Sequence, residues 1–154
     1  MSEESNNEDD NELKNSDLSV PKFNINNQIF LAKCVKCYDG DTIHIVIRYN
    51  NVLQRFVCRL AEIDTPEIKS KDINEKNHAY KAKEFLINLI YNKLIYVKCG
   101  NFDKYGRLLI YIYLEKKDIL KFEKSVNELL VKEKLAYRYN IKKSKIKFID
   151  WFNK

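Results

Sequence analysis

Apolar positions along the chain follow two different periods. From residue 28, "QIFLAKCVKC" has strand character, "DG" at Asp39 and Gly40 marks a turn, and "DTIHIVIRY" sets Ile43, Ile45 and Ile47 on one face of a second strand. Asn50 and Asn51 reverse the chain into a third strand, "VLQRFVCRLAEI", which completes a meander. Over residues 74 to 92 the period becomes helical: Ala82, Phe85, Leu86, Leu89 and Ile90 follow the i, i+3, i+4, i+7, i+8 spacing of an amphipathic helix. "LIYVKC" and "RLLIYIYLE" return to β-rich sequence on either side of "GNFDKYG". Ser125 and Glu128 then form a capping box ahead of Val126, Leu129 and Leu130, opening a second helix, and "SKIKFIDWFNK" reads as a short helix of weak periodicity. This order predicts an α+β, mainly β fold: a five-stranded OB-type barrel with two to three helices, the first inserted between strands three and four.

Composition adds a boundary. Residues 1 to 20 hold seven acids and one base, and the remaining 134 residues carry a net charge of +12. Residues 1–22 are therefore expected to be a disordered, passive acidic tail, and 23–154 one cationic folded domain suited to a polyanion. No run approaches the ~18 apolar residues of a membrane span, and the amino terminus lacks the basic and apolar pattern of a secretory signal. The expected setting is intracellular, in the cytoplasm.

Four cysteines include the pair Cys34 and Cys37. In a regular strand a spacing of three sends the two thiols to opposite faces, so the expectation is reduced, half-buried cysteines rather than a zinc site. His44 and His78 fall in no motif. Asp39 and Asp103 each precede a turn, where Asp bonds its own backbone, and Glu62 reads as a solvated surface residue. The basic run "IKKSKIK" is read as solvated, and Tyr111 and Tyr113 as members of a two-sided strand.

One short segment carries chemistry. "RLAEIDTPE", residues 59 to 67, sets an arginine and three acids beside Pro66, which ends regular structure. Adjacent strands of the meander allow Asp41 and Asp64 to meet. Two carboxylates together repel unless a cation joins them, and oxygen donors without His or Cys suit calcium or magnesium. Arg59 and Arg107 add permanently charged forks that match phosphate oxygens.

"DGDT" (39–42), "RLAEIDTPE" (59–67), "DKYGR" (103–107) and "VNELLV" (126–131) occur in the order seen in the staphylococcal nuclease (thermonuclease) family, which the chain resembles over roughly residues 28 to 139. The resemblance implies a calcium-dependent endonuclease that hydrolyses DNA and/or RNA to 3′-phosphate products. On its motifs, Asp41 and Asp64 bind Ca²⁺ through carboxylates and Thr65 through its carbonyl. Glu67 holds the attacking water, Arg59 and Arg107 stabilise the charged phosphorus, and Lys104 and Tyr105 contact the terminal phosphate. A monomer acting on single strands is the expected form. The alternative is a non-catalytic nucleic-acid-binding OB-fold module, which has no need of all five of Asp41, Arg59, Asp64, Glu67 and Arg107.

Three departures from the family pattern stand out. Residues 115–125 are longer than the usual turn, Lys134 replaces a common glycine, and only about fifteen residues follow Asn140. Nucleotide-contacting tyrosines of the family correspond to Tyr137 or Tyr139, neither of which is assigned.

Overall fold

The structure, a computed structural model, describes residues 3–139 and 148–152. The run "IKKSKIK" lies outside the described residues. Helix α1 (Glu3–Lys14) occupies part of the segment expected to be disordered, and its residues 7 to 14 are all exposed. Packing begins at Phe23, which meets Tyr49 edge-on at 5.9 Å, and at Ile25, which is fully buried.

Strands β1 (Ile29–Cys37), β2 (Thr42–Tyr49) and β3 (Val52–Leu60) form the antiparallel meander. A two-residue strand β4 (Ile63–Asp64) follows, then α2 (Ile73–Ile90), β5 (Leu94–Phe102) and β6 (Leu108–Tyr113). Two short 3₁₀ turns fill the insertion at 115–125, followed by α3 (Val126–Lys132), β7 (Tyr137–Arg138) and α4 (Phe148–Phe152). The five long strands close a barrel in the order β1-β2-β3-β6-β5, with β3 and β6 parallel and β5 returning to β1. Alternation dictates the interior: Ile43, Ile45, Leu60, Ile95, Leu108 and Ile110 are all buried. Each such side chain contributes about 1.5–3 kcal/mol by leaving water. Helix α2 covers the β1–β2 turn through Ala82, and its N-terminus is capped by Asp72, which accepts from Asn74 N at 2.9 Å.

Three expectations change. The third strand ends at Leu60 rather than running on to Ile63, because Glu62 adopts a left-handed conformation (φ 65°) that turns Ile63 and Asp64 onto β7. The cysteines are not on opposite faces. Cys34 faces Ile45 and Lys36 faces His44, so one extra residue bulges from β1, and both Cys34 and Cys37 point inward with sulfurs 3.7 Å apart. All four cysteines are buried free thiols rather than half-buried ones. Burial holds Cys99 up at about 11, so it stays protonated. The capping box forms only in half: Ser125 Oγ accepts from Glu128 N at 3.1 Å, while the Glu128 carboxylate turns away to Arg138.

Lys134, two residues past α3, has φ 56°, the conformation that favours glycine at a helix end. Asn127 is the opposite case, a polar residue whose place is enforced. Fully buried, its amide donates to the carbonyls of Ala61 and Ile110, each at 3.0 Å, and its oxygen accepts from Ile112 N at 3.0 Å. This one side chain ties α3, β6 and the segment that follows Arg59.

Two outcomes follow for equilibrium unfolding in denaturant. Asn127→Ala strands the Ala61 carbonyl and the Ile112 N–H inside the protein, while the Ile110 carbonyl keeps its bond from Ala61 N at 2.9 Å, and is expected to cost about 2 kcal/mol or more. Lys134→Gly relieves a left-handed side chain and is expected to stabilise by up to about 1 kcal/mol. An Asn127→Ala loss below about 1 kcal/mol, or destabilisation by Lys134→Gly, contradicts these assignments.

Candidate active site

The turn between β1 and β2 is shaped by its own acid. Asp39 Oδ1 accepts from Asp41 N at 3.0 Å and from Thr42 N at 2.8 Å, the turn role expected of it. Gly40 is required by close approach, since a Cβ there would lie 2.8 Å from Ala82 Cβ and 3.0 Å from Thr65 Cγ2. The turn is thus pressed between α2 and the segment after β4, which aims Asp41 inward. Asp41 Oδ2 accepts from Thr65 N at 3.2 Å, and the Asp41 carbonyl accepts from Leu60 N at 2.8 Å.

Arg59 leaves the end of β3 and is locked by the chain that follows it. Its Nη1 donates to the Ile63 carbonyl at 2.8 Å, and its Nη2 donates to Asp64 Oδ1 at 3.1 Å and lies 3.7 Å from Asp41 Oδ2. Side-chain exposures are 14% for Arg59, 10% for Asp41 and 7% for Asp64. One guanidinium therefore stands against both predicted metal-binding carboxylates. Its Cζ lies 5.5 Å from the Tyr139 ring centre, and Tyr137 donates its hydroxyl to Asp64 Oδ2 at 3.4 Å. Burial pushes the Tyr137 phenol up, and the charges of Asp64 and Glu67 push it further, so it remains a donor.

The other predicted residues come from two further loops. Thr65 is buried next to Asp64, and Glu67 is exposed, its N–H donating to Glu75 Oε1 at 3.1 Å on α2. At the β5–β6 turn Asp103 Oδ1 accepts from Tyr105 N and Arg107 N, each at 2.9 Å, and its Oδ2 accepts from Arg107 Nε at 2.8 Å. Burial opposes ionisation of Asp103, but the Arg107 backbone and side-chain donors outweigh it and hold the carboxyl below its ordinary range. Tyr105 is 72% exposed, with Lys104 Nζ 5.2 Å and Arg107 Cζ 5.3 Å from its ring centre.

Asp41, Arg59, Asp64, Thr65, Glu67, Lys104, Tyr105 and Arg107, all the residues singled out in the sequence, line a single open cleft of about 1800 Å³. Contacts join Asp41, Arg59, Asp64 and Thr65 directly, while Glu67, Lys104, Tyr105 and Arg107 stand on the walls. Sequence reasoning missed Asn127 as an organiser and left Tyr137 and Tyr139 unassigned. An amide one residue from Val126 in an amphipathic helix was the available signal for the first.

Electrostatics in the cleft are unbalanced. Burial, followed by the charge of Asp41, pushes the Asp39 carboxyl up to about 7. Asp41 is held below its ordinary value in spite of burial by a hydrogen bond from Asp39 and the charge of Arg59. Two neighbouring carboxyls thus share a proton near neutrality. Among the described residues no group of three or more His, Cys, Asp or Glu is placed to hold a metal ion. The available donors are the Asp41 and Asp64 carboxylates and the Thr65 carbonyl, all oxygen, which fits a hard cation that keeps several waters.

Similarity to known proteins agrees with the motif order. The family profile described as "Staphylococcal nuclease homologue" matches residues 57–153. The chain is 34% identical over 122 residues to the SPbeta prophage-derived endonuclease YokF of Bacillus subtilis, covering 77% of this chain and 38% of that protein. It is 34% identical over 120 residues to endonuclease YncB of the same organism, covering 76% and 52% of the two chains. An uncharacterized endonuclease of Haemophilus influenzae is 33% identical over 108 residues, covering 70% and 52%. The chain thus spans about half or less of the length of these relatives. On motif order, barrel and profile together, the chain belongs to the staphylococcal nuclease homologue family.

Proposed function

We propose that the cleft hydrolyses phosphodiester bonds of DNA or RNA, preferring single strands and releasing 3′-phosphate ends. The observation that carries this reading is the meeting of Asp41, Asp64 and Arg59 from three separate parts of the chain, in a cleft whose other wall holds Arg107. An ion-pair network kept only for stability is a weak explanation, because burying charged groups costs about as much as their attraction returns. A binding module has no use for a carboxylate pair facing a polyanion.

Under this reading Asp41, Asp64 and the Thr65 carbonyl would hold Ca²⁺, which would supply charge neutralisation and acidify a nearby water. Glu67, on the cleft wall, orients the attacking water and accepts its proton. As the water oxygen bonds to phosphorus, negative charge builds on the equatorial oxygens. Arg59 and Arg107 donate to those oxygens, more strongly in the transition state than in the ground state. The bond from phosphorus to the 5′ oxygen breaks, and that oxygen takes up a proton from solvent water. Lys104 and Tyr105 bind the terminal phosphate. The Ile63 carbonyl holds Arg59 at the cleft and Asp103 holds Arg107, so both forks start in place, and Arg59 has to exchange its carboxylate contacts for phosphate.

Incubating the protein with labelled single-stranded DNA and RNA in calcium, in magnesium and in chelator is expected to show cleavage that chelator abolishes. Cleavage indifferent to chelator, or tight binding without cleavage in any metal, rejects the reading. Calcium is also expected to raise the melting temperature of the unaltered protein and not that of Asp64→Asn, since a ligand bound only to the native state stabilises it. Arg59→Lys and Arg107→Lys are each expected to lower kcat by about 10²-fold or more, because an ammonium lacks the planar fork. Near-normal turnover in either removes that arginine from the transition state.

A further inference from the structure

Strands β1, β2 and β3 contain Lys33, Lys36, Arg48, Arg55 and Arg59 and not one Asp or Glu. Their inward positions are filled by residues such as Cys34, Cys37, Ile43, Ile45 and Cys58, so the basic residues stand on the outer face. Register places them in rows that lead away from the cleft. Arg59 pairs with Thr42 in the first row. His44 lies opposite Val57 and beside Lys36 in the second. Arg55 lies opposite Val46, itself beside Lys33, in the third. Successive rows are two residues apart, about 6.8 Å along a strand, a step comparable with the spacing of phosphates in an extended polynucleotide.

Lys33, Lys36 and Arg55 are exposed, and among the described residues none has a carboxylate within ion-pair distance. Arg55 Nη1 lies 3.0 Å from His44 Nδ1, so the imidazole accepts from the guanidinium. His44 is held below its ordinary value by partial burial and then by the charges of Arg55 and Lys36, which shows that these cations act on one another's neighbourhood. A surface of like charge with no carboxylate in ion-pair distance among the described residues attracts polyanions. Guarding an exposed sheet edge is the usual structural reason for strand lysines. It does not apply to Lys33, which pairs with Val46 of β2 on one side and Leu94 of β5 on the other, whereas Lys36 and Arg55 lie where β1 and β3 pair with β2 alone.

The cleft opens onto this face. Tyr38, His44 and Val57 line it together with Asp41 and Arg59, and Tyr38 is 51% exposed beneath Lys36, whose Nζ lies 5.8 Å from the ring centre. A flat aromatic, an exposed valine and graded cations are the components of a surface that binds a single strand by phosphate attraction and stacking.

We propose that the outer face of β1–β3 is a single-strand track: Lys33, Lys36 and Arg55, with Tyr38 and His44, hold the substrate strand several nucleotides from the scissile bond. This rests on the nuclease reading of the cleft, but binding is measurable without cleavage. The test is the affinity of the full chain, in chelator, for a fluorescent 12-nucleotide DNA and a trinucleotide across a salt series. The unaltered protein is compared with the Lys33→Gln/Lys36→Gln/Arg55→Gln variant and with a charge-matched control, Lys116→Gln/Lys117→Gln/Lys121→Gln.

Removing three phosphate contacts is expected to reduce the salt slope for the 12-mer by about 2 and its affinity by about tenfold or more. The trinucleotide is expected to change by less than about twofold, and the control protein to match the unaltered one. An unchanged 12-mer slope, an equal loss on the trinucleotide, or an equal loss in the control overturns the track. An equal change in slope on a 12-base-pair duplex overturns its assignment to single strands. Protein that binds the 12-mer through these residues yet never cleaves in calcium refutes the proposed reaction and leaves the track standing. Cleavage with no change in slope refutes the track alone.

Discussion

The arrangement depends on one guanidinium. Arg59 stands against the carboxylates of Asp41 and Asp64 in a place largely closed to water, and none of the three is tolerable there without the others. Breaking a buried ion pair by removing one partner costs about 3–5 kcal/mol, because the remaining charge is left uncompensated. The surrounding structure therefore has to deliver all three groups together. It does so by fixing each loop with bonds to backbone rather than by relying on attraction between the charges.

Those bonds come from unrelated elements. Asp39 folds the turn before Asp41, and Gly40 lets that turn lie against Ala82 of α2 and Thr65. Asn127 holds the Ala61 carbonyl to β6 and so places the chain between Arg59 and Asp64. The Tyr139 N–H donates to the Glu62 carbonyl at 2.8 Å, extending the β4–β7 pairing on the far side. Asp103 winds the β5–β6 turn and holds Arg107 across the cleft. The barrel thus presents several loops to one space, each loop carrying one or two of the candidate site residues and a separate residue that shapes it. Lys33, Lys36 and Arg55, which have no carboxylate in ion-pair distance among the described residues, lie outward from the cleft on the same three strands.

Local patterning was sufficient for most of this. Alternation identified the strands, the helical period identified α2 within two residues at either end, and turn chemistry assigned Asp39 and Asp103 their roles. That the candidate residues gather in one cleft was legible because they are concentrated in short motifs next to turns. What escaped was non-local or depended on single backbone conformations. The bulge between Cys34 and Lys36 is invisible to a period-two reading, since one added residue restores the inward phase of Cys37. The end of β3 depends on Glu62 alone entering the left-handed region, and the pairing of Ile63–Asp64 with Tyr137–Arg138 joins segments more than seventy residues apart. The half-formed capping box has a similar origin, since Arg138 draws the Glu128 carboxylate away from the helix start.

Arg59 faces two demands, neutralising the buried carboxylates of Asp41 and Asp64 and meeting phosphate when substrate is present. Both can be met only if a cation takes over the carboxylates. The most direct measurement is a crystal structure with calcium and a non-hydrolysable phosphorothioate oligonucleotide. The account predicts an ion about 2.3–2.6 Å from oxygens of both Asp41 and Asp64, with Arg59 and Arg107 donating to the same phosphate group. Arg59 still spanning the two carboxylates with no ion between them, or the two arginines bound to separate phosphates away from those acids, would contradict it.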